Sequence, residues 1–478
     1  MGCLRRFSSN YSVGELMLPA YDQYKNTGYQ WLPEIPENWQ MVRGKNLFED
    51  VDVRSKTGEE ELLTVSHITG VTPRKQKTNV TMFQAESLEG YKLCEPGDFV
   101  ANTMWVWMGA IAVSKYEGLV SPAYNVYRQI GTNYNPNYLD YLLRVYPLVA
   151  EYKRHSRGVR SSRLRLYPEQ LLRIGFPLPP LEEQNQIVRY LDSKISRIHH
   201  LISLKKQEIA LLQEMKQAVI SHAVTKGLDP NAEIKDSGVE WIGEIPARWK
   251  VTTISQIYNI VLGKMLTPTP KRNSDTLENY LCSQNIQWTG INTSEMKQMW
   301  FSEFEKKQYR LQNGDVLVTE GGNVGVSCIF KGEVSPCYIQ NSVHRVSTKN
   351  SNYINNMFLY YWMILAKTSG YLDKICNKAT IAHYTKEKLS QTPIVYLQPT
   401  EQKEIISYLE RICTFIDVLI QNENRFIDRL NEYKTRLISD VVTGKIDVRT
   451  ILVADPLPEE NFNPDEPEIE AEIPGDNE

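Results

Sequence analysis

The chain has 478 residues, too many for one hydrophobic core, and at roughly 100 to 200 residues per domain it holds two to four. With 41% hydrophobic and 23% charged residues, Gly 26 and Pro 24, the composition excludes a disordered or fibrous protein. The net charge of −3 argues against nucleic-acid binding until residues 455–478, which hold ten acids and no Lys or Arg, are set apart; the body then carries 54 basic against 47 acidic residues, a net of +7.

At the N-terminus, MGCLRRFSSN lacks the apolar core of a secretory signal, and Arg6 stands where myristoylation requires Ser or Thr. No apolar run approaches the roughly 20 residues of a membrane span, so a cytoplasmic protein is expected, with residues 1–24 an N-terminal extension. Residues 25–180 alternate short Val, Ile, Thr and Tyr-rich runs with turns and helical stretches such as NYLDYLLRVYPLVAEYKR, the pattern of a mixed α and β domain. A long helix is predicted at 181–228, a linker at 229–240, a second mixed domain at 241–398, a second long helix at 399–446, and an acidic, disordered tail at 447–478. The seven cysteines are odd in number, scattered and never spaced as CxxC, which predicts buried reduced thiols rather than disulfides or a zinc site.

The second half repeats the first. KNTGYQWLPEIPENW (25–39) recurs as KDSGVEWIGEIPARW (235–249) at an offset of 210, Gly97-Asp98 answers Gly314-Asp315 at 217, and VSPAY (120–124) answers VSPCY (334–338) at 214. From about residue 165 the offset locks at 218, and LEEQNQIVRYLDSKISRIHHLI (181–202) aligns without gaps to PTEQKEIISYLERICTFIDVLI (399–420). A rigid spacer needs fixed length, whereas a variable surface tolerates drifting loops. Within the locked part, Ile195, Ile198, Ile202, Ile209, Leu212 and Val219 fall on heptad a and d positions, and Cys413, Ile416, Ile420, Ile427, Leu430 and Leu437 hold the same phases. Lys205 and Lys216 interrupt the first seam where Glu423 and Lys434 interrupt the second. About 40 residues at ~1.5 Å each predict helices near 60 Å long, with Gly227 and Gly444 as stop signals. The economical partner for each stripe is the other, in an intramolecular coiled coil; the alternative is that each helix packs only on its own domain.

Taken in order and twice over, WIGEIPARW, the MWVWMGA or VTEGGNVG segment, SPAY or SPCY, the LPPLEEQ or PTEQ helix entry and the closing VVTGKID resemble the specificity subunits of type I restriction-modification systems, from about residue 20 to 448. The resemblance implies an α+β fold: two mixed α/β target recognition domains joined by two long antiparallel helices that form an intramolecular coiled coil, a pseudo-twofold tandem repeat. It further implies that each domain reads one half of a bipartite, asymmetric site in double-stranded DNA, with the helices setting the spacing. Two modification subunits would dock on the helices and restriction subunits would join them. S-adenosylmethionine, ATP and Mg would be used by those partners, and this chain would bind no cofactor.

The strongest basic run, YKRHSRGVRSSRLRL (152–166), offers Lys153, Arg154, Arg157, Arg160, Arg163 and Arg165 in a Ser and Gly-rich context that reads as a loop able to reach phosphates or guanine edges, the alternative being a solvated charged loop. Its counterpart, DKICNKATIAHYTKEK (373–388), offers Lys374, Asn377, Lys378, His383 and Lys386; it is less basic, so the halves should read different sequences. TPRKQKTN (72–79) adds Arg74, Lys75 and Lys77, against NIQWTGIN (285–292) in the second copy; each is either a groove-entering loop or an ordinary surface turn. Trp105, Trp107 and Met108 invite a base-stacking reading, but in a strand flanked by Gly109-Ala110 they are expected in the core. EGGNVG (320–325) is expected to be a turn between strands or a backbone approach to DNA rather than a phosphate loop, since VSCIF continues as strand.

No GxxxxGK[ST] occurs, no Asn or Asp precedes Pro-Pro and an aromatic, and the seven histidines form no HExxH set, so neither catalysis nor a metal is expected of this chain. A duplicated enzyme would repeat catalytic side chains at matched positions; what repeats is Trp, Pro, Gly-Asp and apolar helix positions. A coiled-coil scaffold that binds only proteins would show no salt-sensitive affinity for duplex DNA.

Overall fold

The computed structural model describes residues 19–76, 87–158, 164–350, 355–376 and 382–458. It divides into two compact units: Met1–Lys205 with Arg425–Glu478, and Lys206–Asn424. Each unit therefore combines one mixed domain with part of both long helices, Leu181–Lys226 (46 residues) and Pro399–Val442 (44 residues). At ~1.5 Å per residue these helices are close to 70 Å long. Gly227 (φ +73) and Gly444 (φ +78) follow their ends, as expected of residues that can adopt the left-handed conformation.

Inside unit 1, His199 meets Lys434 and Lys205 lies over the Phe426 ring, so ascending positions on one helix meet descending positions on the other. Inside unit 2, Lys216 donates to Asp417 at 2.7 Å, and Gly227 lies against Glu401. The pairing is antiparallel in both. All twelve predicted seam residues are buried or half-buried, with Ile198, Ile202, Cys413, Ile416, Ile427 and Leu437 fully buried. The polar interruptions are put to use: Lys434 Nζ donates to His199 Nε2 at 3.3 Å, and the partly exposed Lys216–Asp417 pair contributes roughly 0.5 kcal/mol.

Each domain is built on a four-stranded antiparallel sheet. In unit 1 the order is Phe48–Val51, Asn125–Gln129, Phe99–Ala101, Ile111–Val113; in unit 2 it is Tyr258–Leu262, Val343–Thr348, Val316–Thr319, Ser327–Ile329. A two-stranded ribbon ties each domain's start to the segment entering its helix, Gln40–Arg43 with Gly175–Leu178 and Lys250–Thr253 with Pro393–Tyr396. Unit 2 adds a three-stranded sheet, Lys297–Phe301, Thr276–Leu281 and Tyr338–Ile339, within a stretch where the repeat's register drifts.

The repeated motifs have structural causes. Trp39 and Trp249 are fully buried, and their indole N–H groups donate to Glu183 (2.8 Å) and Glu401 (3.0 Å) in the first turns of the two helices. The adjacent glutamines work alike. Gln184 accepts from Asn135 N and donates to Pro179 O, while Gln402 accepts from Asn355 N and donates to Leu397 O. Asn135 and Asn355 in turn cap the helices Pro136–Leu143 and Asn356–Thr368. Gly97-Asp98 and Gly314-Asp315 are turns with glycine at φ +95 and +92, closed by the aspartates accepting Glu95 N and Gln312 N. Cys94, Cys328, Cys337, Cys376 and Cys413 are buried thiols, Cys282 is half-buried, and Cys3 lies outside the described residues. Burial pushes Cys94 up to about 11 and Cys328 and Cys337 to about 12.

Three expected boundaries shift. The expected linker is part of unit 2, because Ile234–Asp236 pairs with Glu244–Pro246. The N-terminal extension stops before Tyr21, which joins the core and donates to Glu183. The expected tail begins too early: Val448 is fully buried, Gln186 donates to Val448 O (3.0 Å) and Ile451 O (2.8 Å), and Asp447 N donates to Pro19 O (2.7 Å). The helices also end slightly short of 228 and 446. Residues 459–478, which hold nine of the ten tail acids, lie outside the described residues.

Candidate nucleic-acid interface

The basic run of unit 1 is only partly a loop. Lys153 and Arg154 occupy the last turn of the helix Tyr146–His155, where cations offset the negative C-terminal dipole. Glu151, buried in the same helix, accepts two guanidinium bonds from Arg154 (2.8 and 2.6 Å) and one from His155 (3.1 Å). Burial raises the Glu151 carboxyl, but Arg154 and His155 outweigh it and hold the group below the usual range. Arg154 is thus an anchored residue. Lys153 is exposed and lies over the Trp107 ring at 5.8 Å.

Beyond the helix, Arg157 N donates to Arg165 O and Arg165 N to Arg157 O, both at 2.9 Å, so the two residues form an antiparallel bridge; residues 159–163 lie outside the described residues. Directly paired residues project to the same side, so two exposed arginines start from neighbouring positions on one face. The next residue, Leu166, is buried, and its N–H reaches Thr103 O (3.3 Å) in the turn that follows strand Phe99–Ala101. Arg74 opens a 3-10 turn after strand Gly70–Pro73, and its charge offsets part of the burial that raises Tyr124, whose hydroxyl accepts from Asn102 at that same turn. Lys75 pairs with Glu61 at 2.6 Å on the surface. Lys77, Arg160 and Arg163 lie outside the described residues.

Trp105, Trp107 and Met108 are not core. They occupy a turn rather than a strand, all three are partly exposed, and only Val106 between the tryptophans is sealed. Gly109 at φ +94 turns the backbone there, so these side chains do not alternate across a sheet.

In unit 2 the corresponding turn is EGGNVG, which does link two paired strands, Val316–Thr319 and Ser327–Ile329. Tyr384 N donates to Glu320 O (2.7 Å), as Leu166 does to Thr103, so the second basic segment sits against the equivalent turn. His383 is exposed beside Gly321, and Lys386 opens the helix Lys386–Gln391. Lys388, which sequence reasoning missed, donates to His383 O at 3.0 Å. Lys374 pairs with Glu240 at 3.3 Å in the open. Asn377 and Lys378 lie outside the described residues. The NIQWTGIN segment is a tight hairpin, Ile286–Gln287 with Gly290–Ile291, whose Trp288 packs on the core.

Fully buried His344 holds this segment in place, its Nε2–H donating to Tyr384 O at 2.8 Å. Burial lowers its imidazole to about 4. A histidine depressed in the folded state contributes stability above its unfolded value near 6.5, and that stability is lost as pH falls toward 4. Unit 2 should lose on the order of 2–3 kcal/mol over that window, and His344→Gln should flatten the profile. Urea denaturation at stepped pH checks this; an unchanged slope in the variant would reject the assignment.

The two sites are strand-end surfaces of one design with different side chains, set on a duplicated domain with a paired long helix. The profile of the type I restriction modification DNA specificity domain matches residues 36–211 and again 246–429, and the chain belongs to that family. The two matches begin 210 residues apart, the offset of the repeat itself.

Among curated relatives, the MjaVIII specificity subunit of Methanocaldococcus jannaschii is 27% identical over 292 residues, 58% of this chain and 63% of that protein. The putative MjaX specificity subunit of the same organism is 24% identical over 444 residues, 87% of this chain and 96% of that one. A chain from a structure describing complex assembly and conformational transition of a type I restriction-modification system shares the fold, with a TM-score of 0.62 and 16% identity over 86% of this chain and 99% of that one. Among the described residues no helix is long and apolar enough to cross a membrane.

Proposed function

We propose that this chain is the DNA-recognition subunit of a type I restriction-modification complex, a cytoplasmic phage-defence system, in which each unit reads one half of a bipartite, asymmetric duplex target. It is the non-catalytic component, choosing the site at which its partners act. The observation that carries the reading is the pair of equivalent strand-end surfaces, one bearing Lys153, Arg157 and Arg165 and the other His383 and Lys386, on two copies of the specificity domain. Equivalent placement with unlike side chains is what an asymmetric target requires.

Two modification subunits dock on the helices and restriction subunits join through them; S-adenosylmethionine, ATP and Mg are used by those partners. Apolar side chains exposed on the helices support this: Leu211, Met215, Phe415 and Val418 in unit 2, and Leu204 and Tyr433 in unit 1.

The test is duplex binding across a salt series, with and without a modification subunit. Log K should fall linearly with log[salt], and Arg157→Ala with Arg165→Ala should reduce the slope by about 0.9 for each phosphate that the variant no longer neutralises. A flat response with the partner present would reject the DNA reading.

A further inference from the structure

The turn between strands Phe99–Ala101 and Ile111–Val113 presents Trp105 and Trp107 with their rings stacked, centroids 6.4 Å apart and planes 18° from parallel. Trp107 Nε1 donates to Met104 O at 2.8 Å, which satisfies its polar edge inside the turn. The ammonium of Lys153 lies over this ring. Two partly wet indoles retain apolar area that folding has not removed from water.

The turn packs on the helix Tyr146–His155, but a turn of this kind does not require two tryptophans. The corresponding hairpin of unit 2 closes through Gly321, Gly322 and Asn323 with no aromatic residue in its turn. The surrounding charge does account for them: Lys153 on the ring, Arg157 and Arg165 paired through their backbones next to Leu166, whose N–H is bonded to Thr103 O, and Arg74 near the Tyr124 hydroxyl. An apolar platform framed by cations matches a polyanion that also offers stacking surfaces.

We propose that Trp105 and Trp107 form an aromatic contact to duplex DNA in the half-site read by unit 1. They pack against a base step or deoxyribose while Lys153, Arg157 and Arg165 hold the flanking phosphates. The inference rests on the DNA-recognition reading and adds to it that the two halves are read by unlike chemistry. Unit 1 uses an aromatic wedge; unit 2 has bare glycine backbone beside His383, which admits close approach instead.

The experiment is selection from a random duplex pool by the full chain with its modification subunits, comparing the parent, the double variant Trp105→Ala/Trp107→Ala, and Trp107→Phe. The double variant should keep the base preferences of one half, lose those of the other, and bind its best duplex roughly ten-fold more weakly. The Phe variant, which keeps a ring to stack, should retain most of the preference in both halves. An unfolding midpoint matching the parent shows that unit 1 is intact. Preferences retained in both halves of the double variant, or eroded equally in both, overturn the proposal. A parent that enriches no split motif instead rejects the DNA-recognition reading itself.

Discussion

Glu183→Ala should destabilise unit 1 by about 3–5 kcal/mol, because one buried carboxylate gathers three donors that would be left without an acceptor. Trp39 Nε1 reaches it at 2.8 Å, Asn38 Nδ2 at 2.8 Å, and the Tyr21 hydroxyl forms a short bond to it. Burial first, and then Glu183 itself, push the Tyr21 hydroxyl far above its ordinary range, so it remains a donor at every working pH. The carboxylate also stands in the first turn of its helix, where the dipole favours negative charge.

The matched substitution in unit 2, Glu401→Ala, should cost less, roughly 1–2 kcal/mol. There the acceptor serves Trp249 at 3.0 Å and Arg248 at 2.6 Å, and the half-exposed Arg248 regains water when released. Urea titration followed by tryptophan fluorescence compares the two variants. Equal losses, or a larger one in unit 2, would show that Tyr21 and Asn38 add nothing to the cluster.

What sequence alone conveys divides along physical lines. The helices are legible because a heptad pattern imposes its period on the chain, and Gly227 and Gly444 mark their ends by a conformation few other residues adopt. The repeat of Trp, Pro and Gly-Asp is legible as a repeat, but its cause is not: the partners of Trp39 and Asp98 lie at Glu183 and Arg128, and side-chain pairing across such separations leaves no local period.

The same blindness misplaces the boundaries. Segment 229–240 reads as a polar linker until its strand finds Glu244–Pro246, and residues 447–458 read as tail until Gln186 takes two of their carbonyls. Backbone bonding depends little on side-chain identity, so composition cannot report it. Trp105 and Trp107 mislead for a different reason. Aromatics beside Gly-Ala resemble a packed strand, and only the 3-10 turn, with one sealed valine between two partly exposed rings, shows that they lie outside the core. Charge alone finds the basic residues; it locates Arg157 and Arg165 but does not distinguish them from Arg154, already claimed by Glu151.

A heptad inserted at matched positions in both long helices should lengthen the unread spacer of the target by about three base pairs and leave the half-site preferences unchanged. This expectation rests on helix length and the DNA-recognition reading alone. Both helices run unbroken through the two units, so length added to one is not absorbed by a loop. Seven residues add roughly 10 Å at ~1.5 Å per residue, and base pairs rise ~3.4 Å. Seven is also the number that returns seam positions such as Ile202 and Ile420 to phase, whereas four would turn apolar residues away from the partner. The pairing is antiparallel, so an insertion in one helix alone offsets every pairing beyond it, including Lys434 with His199 or Lys216 with Asp417. That single insertion should lower the unfolding midpoint and weaken binding without producing a new spacer. Methylation mapping with each variant reads the spacing directly. An unchanged spacer in a double insertion that still folds and methylates would mean that something other than helix length sets the distance between the half-sites.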